Sequence, residues 1–254
     1  MASIDCKFFA ETLGMSSSLR VILPEPPLRD LEAGKSTPSG GYPVLYLLHG
    51  LSDDETAWTR YTSIERYVAS LGLAVVMPNV HRSYYTNMKF GYRYWDFISE
   101  ELPLKARALF PISSARADNA VAGLSMGGYG ALKLALSKPE SYSAVACFSS
   151  SCDLKGLRDR PEELSLVFGD PTNIAASGGD LAELARQLAR SERPKPRLLQ
   201  TCGSDDFLLA SNQRFRDVIT PLGFDYSYEE SPGAHDWAYW DGAIQRALAW
   251  LANG

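Results

Sequence analysis

An α/β fold built on a mostly parallel sheet is predicted by three features of the 254-residue chain. Short continuous apolar runs alternate with amphipathic stretches, the pattern of strands buried on both faces with helices crossing between them. A G-x-S-x-G pentapeptide falls directly between one such run and one such stretch. The length suits one large domain, 1–254, and the 45% hydrophobic and 22% charged residues are ordinary for a globular core.

In chain order, residues 19–24 read as a strand that closes an early antiparallel hairpin, and the Pro/Gly/Ser-rich stretch 25–41 reads as an exposed loop. Residues 43–48 form a continuous apolar run, followed by Trp58, Tyr61, Ile64, Val68 and Leu71 at the spacing of one helix face. A strand at 73–77 ends at Pro78. Beyond a Tyr-rich loop, Trp95, Ile98 and Leu102 suggest a helix that Pro103 kinks or restarts. Strands are expected at 120–123, 144–148 and 197–201, with a helix over 127–137. Residues 149–196 are more polar, with one charged helix near 180–190, and read as an insertion over the sheet, either a solvated excursion or a cover for the site. A helix from about 207 to 221, an alternating strand through Phe224, Tyr226 and Tyr228, and a closing helix with Trp237, Trp240, Ile244, Leu248 and Leu251 on one face complete the chain.

Composition excludes several functions. With 25 basic and 30 acidic residues the formal charge is −5, which gives polyanions no general attraction, so nucleic acid is not an expected partner. No apolar run reaches the roughly 18 residues of a membrane span, and the N-terminus lacks a basic segment followed by an apolar one, so a cytoplasmic protein is expected. The four cysteines form no CxxC pair and read as buried free thiols, and no zinc or calcium spacing is present, so neither metal nor cofactor is expected. Association of copies stays open, since no segment reads as an interface.

The pentapeptide Gly123-Leu124-Ser125-Met126-Gly127 matches a nucleophile elbow, where Ser125 would sit at the carboxyl end of a central strand and at a helix N-terminus. Gly128 and Gly130 are expected to keep the first helical turn slim for an approaching substrate. A serine hydroxyl needs a base near neutral pH, and His235, in the loop before the closing helix, is the only histidine downstream of Ser125. The acid should follow an intervening strand. The G-x-x-D spacing from Gly203 favours Asp206 over its neighbour Asp205, which reads as a helix cap, as does Asp236 for the last helix. Two backbone N–H donors are needed for an oxyanion, and the places for them are Met126, after the nucleophile, and Leu51, after the first parallel strand. His49 reads as a structural residue of that turn, His81-Arg82 as a surface ion pair or a positive rim, and the tyrosine cluster 84–94 as core packing or a cleft wall.

Leu47-Leu48-His49-Gly50-Leu51, Tyr94-Trp95-Asp96-Phe97, Glu100-Glu101-Leu102-Pro103, the elbow, residues 202–207 and Gly233-Ala234-His235-Asp236-Trp237 together resemble the esterase D family of α/β-hydrolases. That family includes tributyrin esterases, S-formylglutathione hydrolases, feruloyl esterases and the antigen 85 mycolyltransferases. The resemblance covers nearly the whole chain and is nearest to the bacterial tributyrin-esterase branch, on residues 8–15 with Glu11 and Gly14-Met15. It implies an α/β-hydrolase fold, Ser125, Asp206 and His235 as a triad, Leu51 and Met126 as the oxyanion hole, and hydrolysis of small acyl esters through an acyl-enzyme. A thioesterase of the S-formylglutathione hydrolase type would use the same residues, and a non-catalytic ligand-binding protein on a hydrolase fold is the reading from a different class.

Overall fold

The structure, a computed structural model, describes residues 1–34, 37–154, 161–170, 174–176 and 178–253. Eight strands form one sheet: β1 (Ala2–Ala10), β2 (Met15–Leu23), β3 (Val44–Leu48), β4 (Ala74–Pro78), β5 (Asn119–Leu124), β6 (Ala144–Phe148), β7 (Arg197–Gly203) and β8 (Tyr226–Ser231). Their spatial order is β1-β2-β4-β3-β5-β6-β7-β8. The β1–β2 hairpin and its junction with β4 are antiparallel, and every pairing from β4 to β8 is parallel. The expected architecture is therefore present.

Strands β3, β4, β5 and β6 are buried at every position, which is why they read as unbroken apolar runs. The strand period of two sends alternate residues to opposite cores. Val44, Tyr46 and Leu48 enter a core with Tyr129, Leu132 and Phe168, while Leu45 and Leu47 face Trp58, Ile64, Ile244 and Leu248.

The helices in order are α1 (Leu28–Glu32), α2 (Ala57–Tyr61), α3 (Ile64–Val68), α4 (Tyr94–Asp96), α5 (Leu102–Leu109), α6 (Met126–Ser137), α7 (Pro161–Phe168), α8 (Leu181–Ala189), α9 (Leu209–Ile219) and α10 (Trp237–Ala252). Five differences from the sequence reading appear, the first two with local causes. The single helix expected across residues 58–71 is split, because Thr62 is extended (φ −134°, ψ 172°). Its Oγ1 accepts the Ile64 amide at 3.1 Å and donates to the Trp58 carbonyl at 2.5 Å, so a hydroxyl replaces the helical ladder there. Between α4 and α5 a π-helical turn spans Phe97–Glu101, and Pro103, which has no amide to donate, follows it directly in α5, so the ladder is rearranged around the proline. The loop expected over 25–41 contains the short α1, and α7 interrupts the polar excursion at 149–196, of which residues 155–160, 171–173 and 177 lie outside the described residues. The last strand begins at Tyr226, so Phe224 precedes it.

Helix α6 also buries Lys133, only 2% exposed. Its Nζ donates to Thr86 Oγ1 at 2.7 Å and to the Tyr85 carbonyl at 3.3 Å, and lies 4.6 Å from the Trp95 ring centroid, which ties α6 to the 84–86 loop. Burial lowers its pKa from 10.5 to about 7. The unfolded chain therefore holds a proton that the folded one releases, so the contribution grows as pH rises from about 7 and is complete only above the unfolded value. Between pH 7 and pH 9 the wild type is expected to gain about 2 kcal/mol relative to Lys133→Met, read from urea midpoints at the two pH values. Equal shifts in both proteins would refute it.

Candidate active site

Ser125 lies in the sharp turn from β5 into α6, with φ 54° and ψ −116°. A positive φ is strained for serine, and the surroundings hold it in place. Its amide donates to the Phe148 carbonyl at 2.9 Å, and its carbonyl accepts from the amides of Tyr129 and Ser151, both at 3.1 Å. A Cβ at Gly123 would come 2.4 Å from the Gly127 carbonyl oxygen, and one at Gly127 would come 2.5 Å from that of Leu48. Both outer glycines of the pentapeptide are thus dictated by backbone packing. Gly128 and Gly130 have another reason than the one expected: added Cβ atoms would meet Ser150 Cβ at 2.9 Å and the Tyr85 ring at 2.4 Å, so they admit packed side chains and not substrate.

The turns after β7 and β8 close on each other. Ser204 N–H donates to the Ser231 carbonyl and Asp205 N–H to the Gly233 carbonyl, each at 2.9 Å, and a Cβ at Gly203 would strike the Gly233 carbonyl oxygen at 2.2 Å. This contact places Asp206 beneath His235. His235 Nδ1 is 2.9 Å from Asp206 Oδ2, and its Nε2 is 3.0 Å from Ser125 Oγ. Since a carboxylate only accepts, Nδ1 carries the proton and Nε2 is free to accept the serine hydroxyl. Burial pushes the Asp206 carboxyl up, but the hydrogen bonds it accepts from His235 Nδ1–H and the Leu208 amide outweigh it and hold its pKa below the ordinary value. Asp205 does not cap a helix. It is exposed, and α9 starts without a side-chain cap, whereas Asp206 accepts the Leu208 amide at 2.8 Å. Asp236 caps α10 as expected, accepting the Tyr239 amide at 3.0 Å.

On the far side of Ser125, the turn after β3 is held by four bonds. The Leu48 carbonyl accepts Trp58 Nε1–H at 3.1 Å, and the His49 carbonyl accepts the Tyr85 hydroxyl at 2.9 Å. His49 Nδ1–H donates to the Gly50 carbonyl at 2.7 Å, and its Nε2 accepts the Val80 amide at 3.1 Å. Burial lowers the His49 pKa to about 4, so it stays neutral with both nitrogens engaged, a structural residue. Among the described residues, the amides of Leu51 and Met126 have no hydrogen-bond acceptor, and both residues border the same cleft as Ser125 and His235.

That cleft, about 400 Å³, is walled by Tyr84, Phe207, Trp237 and Trp240 around the Ser125 hydroxyl. Of the tyrosine cluster only Tyr84 lines it, while Tyr85 packs beneath α6 and Tyr92 is exposed. Arg82 pairs with Glu163, the surface ion pair. Sequence reasoning missed Ser149 and the site role of Trp240, whose Nε1–H donates to Ser149 Oγ at 3.1 Å and whose ring meets that of His235 edge-on at 4.9 Å. No sequence signal marks a contact between residues 91 positions apart. Among the described residues no group of His, Cys, Asp and Glu could hold a metal ion, and no helix is long and apolar enough to cross a membrane.

Chemically, the arrangement offers a hydroxyl with a base at hydrogen-bond distance, an ionised group fixing that base's tautomer, and two unengaged amides beside it. Residues 11–251 match the model of a family described as putative esterase. An acetyl esterase of Caldicellulosiruptor saccharolyticus is 28% identical over 265 residues, covering 100% of this chain and 99% of its own length. A substrate-bound, fluorophosphonate-binding serine hydrolase of Staphylococcus aureus superposes with a TM-score of 0.91 at 38% identity, over 100% of this chain and 99% of its own. An S-formylglutathione hydrolase from Staphylococcus aureus superposes at 0.88 with 37% identity, over 99% of this chain and 98% of its own. The fold is that of the α/β-hydrolases.

Proposed function

The chain belongs to the putative esterase family, and from that premise we propose that Ser125, His235 and Asp206 form the catalytic triad of a serine carboxylesterase acting on short-chain acyl esters. The observation that carries the proposal is the unbroken hydrogen-bonded chain Ser125–His235–Asp206 bordering a cleft of about 400 Å³. His235 Nε2 takes the proton as Ser125 Oγ attacks the ester carbonyl, and the Leu51 and Met126 amides hold the oxyanion. His235⁺ then protonates the leaving alcohol. Water, deprotonated by the same nitrogen, releases the acid from the acyl-enzyme. Each oxyanion donor is worth about 10²–10³ in rate.

Chain length is tested by turnover of p-nitrophenyl acetate, butyrate, hexanoate and octanoate. Acetate and butyrate are expected to give the highest kcat/KM, since the cleft volume is at the small end of ligand sites. Equal or rising values through octanoate would defeat the short-chain assignment. Labelling by a fluorophosphonate, mapped to Ser125 by peptide mass, separates an enzyme from a non-catalytic binder. A thioesterase reading is favoured by the Staphylococcus aureus relative described as an S-formylglutathione hydrolase. It predicts that S-formylglutathione exceeds the acetate ester in kcat/KM. We read the chain as one catalytic domain, in which the described part of 149–196 packs on the core through Leu164, Phe168, Leu181 and Leu188. A cytoplasmic setting is supported by the four cysteines, all free thiols.

A further inference from the structure

The cleft around Ser125 contains a carboxylate that neither the proposed reaction nor the local fold uses. Asp53 stands two residues beyond Leu51, on the loop that leaves β3, and borders the cleft with Leu51, Ser125 and His235. A Cβ at Gly50 would lie 3.0 Å from Asp53 Oδ2 and 3.9 Å from Ser125 Cβ, so at most those two lengths together separate the carboxylate oxygen from the nucleophile's side chain. Desolvation raises the Asp53 pKa, with the Gly50 amide and the Arg60 charge opposing it, so the fold holds this charge at a cost.

The surrounding side chains do not neutralise it. Among the described residues Asp53 has no ion pair and no side-chain hydrogen bond. Arg60, the cation that bears on it, is paired with Asp54 at 3.5 Å, and Asp54 also accepts the Thr56 amide and hydroxyl. Apart from His235, the other ionisable side chain with a charge on the cleft wall is a second acid, Asp236, and among the described residues no lysine or arginine lines it. The aromatic walls favour the same sign of ligand. Phe207 is exposed and Trp237 half-buried, so both keep ring surface free, and aromatic faces attract cations. A negative charge beside an oxyanion site opposes the charge that develops on the substrate, and a cation on the substrate offsets it.

We infer that Asp53 sets the charge preference of the cleft, favouring esters whose alcohol carries a cation and rejecting those whose alcohol carries a carboxylate. The inference rests on the esterase reading above. It assigns the charge to the alcohol because short unbranched acyl chains carry none. With the acyl group fixed, every alcohol leaves the same acyl-enzyme, so leaving-group charge acts on acylation alone and kcat/KM reports it.

Three acetate esters test it at about pH 8, well above the ordinary carboxyl range. They are acetylcholine, its uncharged isostere 3,3-dimethylbutyl acetate and the anion 4-acetoxybutyrate, each followed by acetate release. Opposite charges about 7 Å apart in a partly wetted cleft change binding about 3- to 10-fold, so kcat/KM is expected to rise by that factor from the neutral ester to acetylcholine and to fall by it for the anion. Asp53→Asn keeps the shape and removes the charge. It is expected to bring both ratios to the neutral ester toward one, and Asp53→Glu to restore them in part. Ratios cancel any unfolded fraction or general loss of turnover. Raising salt from about 0.01 M to about 1 M shortens the Debye length from about 30 Å to about 3 Å, and should flatten the wild-type ratios without any variant. Equal kcat/KM for the three esters, no turnover of acetylcholine by a wild type that hydrolyses p-nitrophenyl acetate, or ratios that Asp53→Asn or salt leaves unchanged would overturn the inference. Failure of the esterase reading shows differently, as absence of p-nitrophenyl acetate turnover by the wild type, in which case both fall.

Discussion

Ser125→Ala is expected to lower kcat on p-nitrophenyl acetate by about 10⁶ while leaving KM and the melting temperature near the wild-type values. Only one atom is removed. The backbone bonds that fix the turn, to Phe148, Tyr129 and Ser151, involve the main chain of residue 125 and survive the change. Alanine tolerates φ 54° no better and no worse than serine, so stability moves little. Lost is the oxygen that forms the acyl-enzyme, and with it the two-step route. What remains is the pair of amides and the cleft, which elsewhere sustain roughly 10³–10⁴ over water. Active-site titration of the wild type should give one equivalent per chain, and none in the variant. Retention of turnover to within a hundredfold would mean that water attacks the ester directly, and the covalent mechanism would be wrong.

Asp206→Asn comes next, with an expected loss of about 10⁴ in kcat at neutral pH. The carboxylate accepts from His235 Nδ1–H and from the Leu208 amide, and an amide of the same shape must turn its NH₂ toward one of them. If that one is His235, the amide favours the tautomer with Nδ1 bare and Nε2 protonated, and Nε2–H then faces Ser125 with nothing to offer as a base. If it is Leu208, two donors meet in a buried place at a cost of about 1–3 kcal/mol. Thermal unfolding and the pH–rate profile together distinguish the two. A kcat within tenfold of the wild type would remove Asp206 from the triad.

What could be read from sequence is whatever depends on neighbours along the chain. The parallel strands betray themselves because both faces are covered, and Gly123 and Gly127 because a strand-to-helix turn that tight excludes side chains at both ends. Spacing from Gly203 separates Asp206 from Asp205, but it does not show that the Asp205 side chain is exposed and leaves α9 uncapped. In sequence Gly128 and Gly130 look like an opening for substrate, because nothing along the chain shows that Ser150 and Tyr85 press against them. The break at Thr62 turned on a hydroxyl choosing the backbone of its own turn, a preference that apolar periodicity does not register. Ser149 lay hidden for a similar reason, since its partner Trp240 arrives from α10.

The parallel register has a consequence in time as well as in space. Ser125 and His235 stand 110 residues apart in sequence, and they meet only when β8, an edge strand whose sole sheet neighbour is β7, has docked in register. Such non-local pairings form late, because each requires a long loop to close before it returns any stabilisation, while helices such as α6 and α10 condense from local contacts. Helical signal on refolding should therefore recover before ester turnover does, and the return of catalysis dates the completion of the sheet's far edge.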